Sequence, residues 1–119
     1  METICKLKDI YKALYQFEKD FANSNGITIN EGMILCCLKN DELKTANELC
    51  DFVGLSNSRV SRVINTVEKK GYIKRQMGES DKRQMIFSLT NAGKEKVAEM
   101  LSADIHLSDL GKHLQDLTK

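Results

Sequence analysis

Between Thr45 and Gly71 two helices follow one another across a connection short enough to force a sharp turn. Thr45-Ala46-Asn47-Glu48 reads as a capping box: the threonine oxygen can accept the amide three residues on, and the glutamate can reach back to the threonine amide. The helix it opens is short, turns Ala46, Leu49, Cys50 and Val53 inward, and closes at Gly54, a residue free to take positive φ. Only Leu55 separates that glycine from Ser56, the next N-cap. A second helix then runs to about Lys70, with Val60, Val63, Ile64 and Val67 on one face and Gly71 at its end. Helix, glycine turn and amphipathic helix are the parts of a helix-turn-helix.

The flanking segments extend this unit. Ile4, Leu7, Tyr11, Leu14, Phe17 and Phe21 form one helical stripe over residues 3–22, stopped by Asn23, Ser24, Asn25 and Gly26. Thr28 and Glu31 make a second capping box, opening a helix through Met33, Ile34, Cys37 and Leu38 that ends at Asn40-Asp41. Tyr72–Met77 and Gln84–Leu89 read as strands around a hairpin loop at 78–83, with Met85, Phe87 and Leu89 on one side of the second strand and Gln84, Ile86 and Ser88 on the other. Thr90 caps a further helix through Val97, Met100 and Leu101, and the tail carries Leu107, Leu110, Leu114 and Leu117 at near-heptad spacing. The expected fold is mainly α with a minor β part. It is a winged helix-turn-helix over 28–97, within a single domain of 119 residues that lacks proline and any Gly/Ser-rich linker. Helices over 1–22 and 104–119 flank it.

Charge is uneven. Residues 56–83 hold eight Lys/Arg against three Asp/Glu, whereas residues 1–55 hold six against nine. A basic segment in a chain of net charge +1 suits a polyanion-binding element, and equally a solvated basic helix face. The residues themselves separate the two readings. Opposite the valine stripe lie Ser58, Arg62, Asn65 and Lys69, with Ser61 and Thr66 at the margins. Short hydroxyl residues let a helix approach a major groove, where Arg can pair with guanine and Asn with adenine. Arg59 sits nearer the side, suited to a phosphate, and the amides at Ser56, Asn57 and Ser58 suit a phosphate oxygen. An ordinary surface helix usually carries more glutamate than the one present, Glu68. Lys82 and Arg83 at the hairpin tip could enter a minor groove, with Asp81 near enough to accept a guanidinium hydrogen bond.

Leu55-Ser-Asn-Ser-Arg-Val-Ser-Arg-Val-Ile64, Val67-Glu-Lys-Lys-Gly-Tyr-Ile73, and Asp81-Lys-Arg83 followed by Leu89-Thr90 and Gly93 resemble the MarR family of bacterial winged-helix regulators over roughly residues 27–97. The resemblance implies a homodimer held by N- and C-terminal helices. It also implies recognition helices (56–70) in successive major grooves of pseudo-palindromic double-stranded DNA, and wings (78–83) in flanking minor grooves. Ser56–Asn65 become the groove-reading segment, and Arg83 the wing arginine oriented by Asp81. Such proteins usually act as repressors released by a small-molecule effector or by thiol oxidation.

Ile4, Leu7, Tyr11 and Leu14, with Leu107, Leu110, Leu114 and Leu117, read as dimer-forming stripes, because a chain this small gains little core from apolar faces that no partner covers. Cys5, near Lys6 and Lys8, is the candidate redox thiol, with an inert thiol as the plain alternative. Cys36, Cys37 and Cys50 lack zinc-site spacing, and His106 and His113 share a helical face without a matching carboxylate or thiolate, so no metal is expected. No nucleophile–base pair, phosphate loop or carboxylate dyad stands out, so neither an enzyme nor a cofactor is expected. No signal peptide or membrane span is expected either, which points to the cytoplasm. The rival from another class is a winged-helix protein-interaction module whose basic face meets an acidic protein.

Overall fold

In the computed structural model, residues 2–78, 80–81 and 83–102 are described. The order is α1 (Glu2–Asn25), α2 (Ile29–Cys37), β1 (Lys44–Thr45), α3 (Ala46–Val53), α4 (Asn57–Lys69), β2 (Ile73–Met77), β3 (Met85–Leu89) and α5 (Asn91–Ser102). Residues 29–102 form one unit, and residues 2–28 belong to another. The tail stripe at Leu107, Leu110, Leu114 and Leu117, the helix expected over 104–119, His106, His113 and Lys82 lie outside the described residues.

In the unit of residues 29–102, α2 packs against both α3 and α4, which also pack on each other. Ile34, Leu35, Leu38 and Leu49 are fully buried there, joined by Val60, Ile64 and Val67 from α4. Truncating one such side chain to alanine costs about 2–5 kcal/mol, so this three-helix core is what fixes the angle at which α4 is presented. The first capping box forms as its spacing requires: Glu48 N donates to Thr45 Oγ1 at 3.2 Å, and Thr45 N to Glu48 Oε1 at 3.1 Å. Gly54 takes φ 79°, and its N–H closes α3 onto the Cys50 carbonyl at 2.8 Å. Ser56 then caps α4 by accepting from Arg59 N.

The sheet is antiparallel in the order β1-β3-β2. Met77 faces Met85 and Ile73 faces Leu89, while Lys44 and Thr45 pair with Phe87 and Ile86. At the other end of the wing, Thr90 joins three elements. Its hydroxyl donates to the Gly71 carbonyl at 2.6 Å and accepts the Gly93 amide at 3.0 Å, and its own amide donates to the Tyr72 carbonyl. Gly93 lies so close to that peptide that a Cβ would overlap the Tyr72 carbonyl oxygen. The Leu-Thr-x-x-Gly pattern at 89–93 is therefore a packing device that seats α5 on the exit of α4.

Two expectations need correction, the end of the first helix and the inward Ala46, and two further features, β1 and the burial along β3, carry no local signal. The first helix runs on to Asn25 instead of stopping after residue 22, because Asn25 is buried and its Nδ2 donates to the Phe21 carbonyl one turn back. The short strand β1 was not foreseen; two residues leave no alternation to read. Ala46 is exposed rather than inward. On β3, Ser88 is buried and Met85 is exposed, because this middle strand is covered at its Leu89 end and open at the loop end.

Candidate nucleic-acid interface

The geometry of α4 follows from its valine stripe. With Val60, Ile64 and Val67 pinned in the core and Val63 half-buried, the helix turns Ser58, Ser61, Arg62, Asn65 and Lys69 to solvent. Asn57 and Arg59 are exposed on its first turn, beside the exposed cap Ser56. Arg59, Arg62 and Lys69 hold no ion pair among the described residues. Three positive side chains thus stand along one element without an ion-pair partner among the described residues.

Other basic residues of the same segment are spoken for. Lys70 Nζ lies 2.7 Å from Glu31 Oε2, a carboxylate buried in the first turn of α2, and so ties the end of α4 to α2. Arg75, on β2, grips Glu68 on α4 with Nε and Nη2, each bond 2.7 Å long, and Nη2 also reaches Asn65 Oδ1 at 3.4 Å. The guanidinium hydrogen bonds hold the Glu68 carboxyl below the usual glutamate range. The one acid on the α4 surface is thereby neutralised by a strand residue. Arg75 is one of the eight basic residues of 56–83, and its pairing depends on how β2 folds back beside α4, which no local pattern records.

Asn57 is engaged too. The single S–H of Cys50 has two acceptors within reach, the Leu55 carbonyl at 3.1 Å and Asn57 Oδ1 at 2.9 Å, so a side chain of α3 spans the turn beside the first residue of α4.

In the wing, Gly78 N donates to the Gln84 carbonyl at 2.7 Å and Gln84 N to the Asp81 carbonyl, closing the loop. The Arg83 side chain is 96% exposed. Asp81 Oδ1 accepts the Arg83 backbone amide at 3.0 Å, while the Arg83 Nε stands 3.8 Å away, beyond hydrogen-bond reach. Asp81 therefore shapes the loop backbone that carries Arg83 and pairs with its guanidinium by charge at longer range.

In the unit of residues 2–28, Ile4, Leu7, Tyr11 and Leu14 are all exposed along α1, Tyr11 at 69%. Cys5 is exposed on the same helix, and Cys36, Cys37 and Cys50 are half-buried. Among the described residues, no helix is long and apolar enough to cross a membrane, and no group of three or more His, Cys, Asp or Glu side chains is placed to hold a metal.

Residues 27–85, which include both helices of the helix-turn-helix and most of the wing, match the model of the MarR family. The chain belongs to the MarR family. A curated relative, the HTH-type transcriptional regulator YdcH of Bacillus subtilis, is 34% identical over 94 residues, which make up 79% of this chain and 61% of YdcH. The chain thus spans about three-fifths of the length of that relative. Among solved structures, AbsC, a MarR family transcriptional regulator from Streptomyces coelicolor, superposes with a TM-score of 0.76 at 27% identity, covering 93% of this chain and 74% of AbsC. A mutant MarR from E. coli, crystallised with operator DNA, superposes with a TM-score of 0.75 over 98% of this chain and 82% of its own. At 19% identity that second likeness is one of fold.

Proposed function

We propose that this MarR-family chain is a sequence-specific regulator of transcription that binds double-stranded DNA as a cytoplasmic homodimer and acts as a repressor. The observation that carries the reading is the outward face of α4, where Arg59, Arg62 and Lys69 stand exposed among short hydroxyl and amide side chains, with no ion pair to any of the described residues. In this reading α4 lies in the major groove. Ser58, Ser61, Arg62 and Asn65 meet base edges, while Ser56, Asn57, Arg59 and Lys69 meet the phosphates. Arg83, with Lys82 beside it, enters the minor groove, where negative potential draws in a cation. The operator complex of the E. coli relative supports this assignment by fold. The exposed stripe of α1 supports the homodimer, since four large apolar side chains in a row ask for a cover.

The test is duplex binding as a function of salt. Each phosphate neutralised contributes about −0.9 to the slope of log affinity against log salt, so two subunits with several contacts each predict a steep fall. Fragments of genomic DNA captured by the purified chain should share a two-fold symmetric motif. Absence of duplex binding at low salt would instead favour a protein-interaction module.

A further inference from the structure

Ile73 with Leu89, Arg75 with Phe87 and Met77 with Met85 are cross-strand pairs of the wing. Because side chains alternate along a strand, all six share one face of the sheet. Their surroundings change from pair to pair. Ile73, Leu89 and Phe87 are buried, and Arg75 reaches across to Glu68 on α4. The next pair toward the loop lies about 7 Å beyond Arg75, two residues along an extended strand. There Met77 and Met85 are 59% and 41% exposed. Two apolar side chains thus stand side by side in solvent, between the part of the sheet fastened to α4 and the loop that carries the exposed Arg83.

One sugar-phosphate rail separates the major groove of a duplex from the adjacent minor groove. A chain with α4 in the first and Arg83 in the second must straddle that rail with the surface joining them, and the Met77–Met85 pair lies on this surface. A thioether has no charge and no hydrogen to donate, so it offers a phosphate oxygen nothing. It is flexible and polarisable, which suits the C–H faces of a deoxyribose. Resting on the reading of α4 as the groove-binding helix, we infer that Met77 and Met85 form an apolar seat for a deoxyribose of the rail between the two grooves. The seat sets the protein on the duplex by shape, adding no base preference and releasing no counterion.

The experiment is oxidative footprinting of the full chain, free and saturated with duplex DNA. Hydrogen peroxide transfers one oxygen atom to a thioether, giving the sulfoxide and water, at a rate that follows access to the sulfur. Peptide mass spectrometry reads each methionine, with Met33, 39% exposed on α2, as the internal reference. In the free chain Met77 and Met85 should oxidise at least as fast as Met33. Duplex should slow both several-fold relative to it. Met77→Ala and Met85→Ala, at exposed positions that leave the core intact, should each weaken duplex binding by roughly three- to tenfold. Met77→Leu and Met85→Leu, which keep the apolar bulk, should stay within about twofold. The alanine variants should preserve both the motif and the slope of log affinity against log salt. Lys69→Ala, which removes a cation from the rail, should make that slope shallower by about 0.9 per subunit. Relative oxidation rates that duplex leaves unchanged overturn the inference, as does full affinity in the double alanine variant. Slower oxidation of the pair than of Met33 in the free chain gives the patch to a second subunit and overturns it as well. Failure of the wild-type chain to bind any duplex overturns the groove-binding reading itself, a different result from a bound duplex that leaves both methionines open to peroxide.

Discussion

Arg75 on β2 and Glu68 on α4 are joined by two parallel hydrogen bonds of 2.7 Å, the fork-to-fork geometry that a guanidinium and a carboxylate share. The bond pair fastens the wing to the helix beside it, and it titrates. Arg75 holds the Glu68 carboxyl below its ordinary value of 4.5. A carboxyl depressed in the folded state binds its proton more readily when the chain unfolds. The pair therefore stabilises the fold above the usual glutamate range, and that contribution is lost as pH falls through the depressed value. The melting temperature of the wild type should drop more steeply between about pH 5 and pH 3 than that of Glu68→Gln. Parallel curves would contradict this.

Arg62 and Arg83 should fail in different ways. Arg62→Ala is expected to cost about 1–3 kcal/mol on the best operator and to relax preference at one base position. Arg83→Ala should weaken all duplexes more evenly, because a minor-groove arginine senses groove width more than base identity. Binding profiles of both variants on a library of single-base operator changes check the difference.

Gly93→Ala should be severely destabilising. The added methyl would overlap the Tyr72 carbonyl oxygen, a backbone atom that cannot swing aside. A loss of about 3 kcal/mol or more is expected from overpacking of this kind. Thr90→Ala, which removes the hydroxyl bonds to Gly71 and Gly93, should cost about 1–2 kcal/mol. Urea denaturation of the two variants gives both values.

Thiol labelling should proceed in a fixed order. Cys5 is exposed on α1, whereas burial pushes the Cys37 thiol above its ordinary value against the opposing pull of Lys44. Because the thiolate is the reactive form, a limiting alkylating agent at neutral pH should modify Cys5 first and Cys37 late. Mass spectrometry of the partly labelled chain reads the order directly.

Tyr11→Glu and Leu7→Glu on α1 should yield monomers by sedimentation while leaving far-ultraviolet circular dichroism unchanged. Both side chains are exposed, so neither change removes core packing. Dimers that persist in both variants would move the subunit contact away from this stripe.

The parts legible in the sequence are those whose cause is local. Thr45 and Glu48 cap α3 from three residues apart, Gly54 ends it by a backbone conformation few other residues share, and the Val60–Val67 stripe fixes which side of α4 faces out. Other features depend on chain that returns from far away. β1 exists because Lys44 and Thr45 meet Phe87 and Ile86, some forty residues later, and two residues carry no period of their own. Glu68 and Asn65 find Arg75 only after the chain reverses at Gly71. Asp81 accepts the Arg83 amide at 3.0 Å and also stands in ion-pair range of its Nε at 3.8 Å, and the first of these contacts is one that spacing alone does not record.

The contact between Gly93 and Tyr72 has a mechanical side. Where most helices rest on their neighbours through side chains that can change rotamer, α5 here meets the peptide after α4 backbone to backbone, with the Thr90 hydroxyl bridging the seam. A joint without a cushion has no slack. Any side chain at position 93 would have to part the first turn of α5 from the exit of α4, so the spacing between these two helices is set by a single missing methyl group.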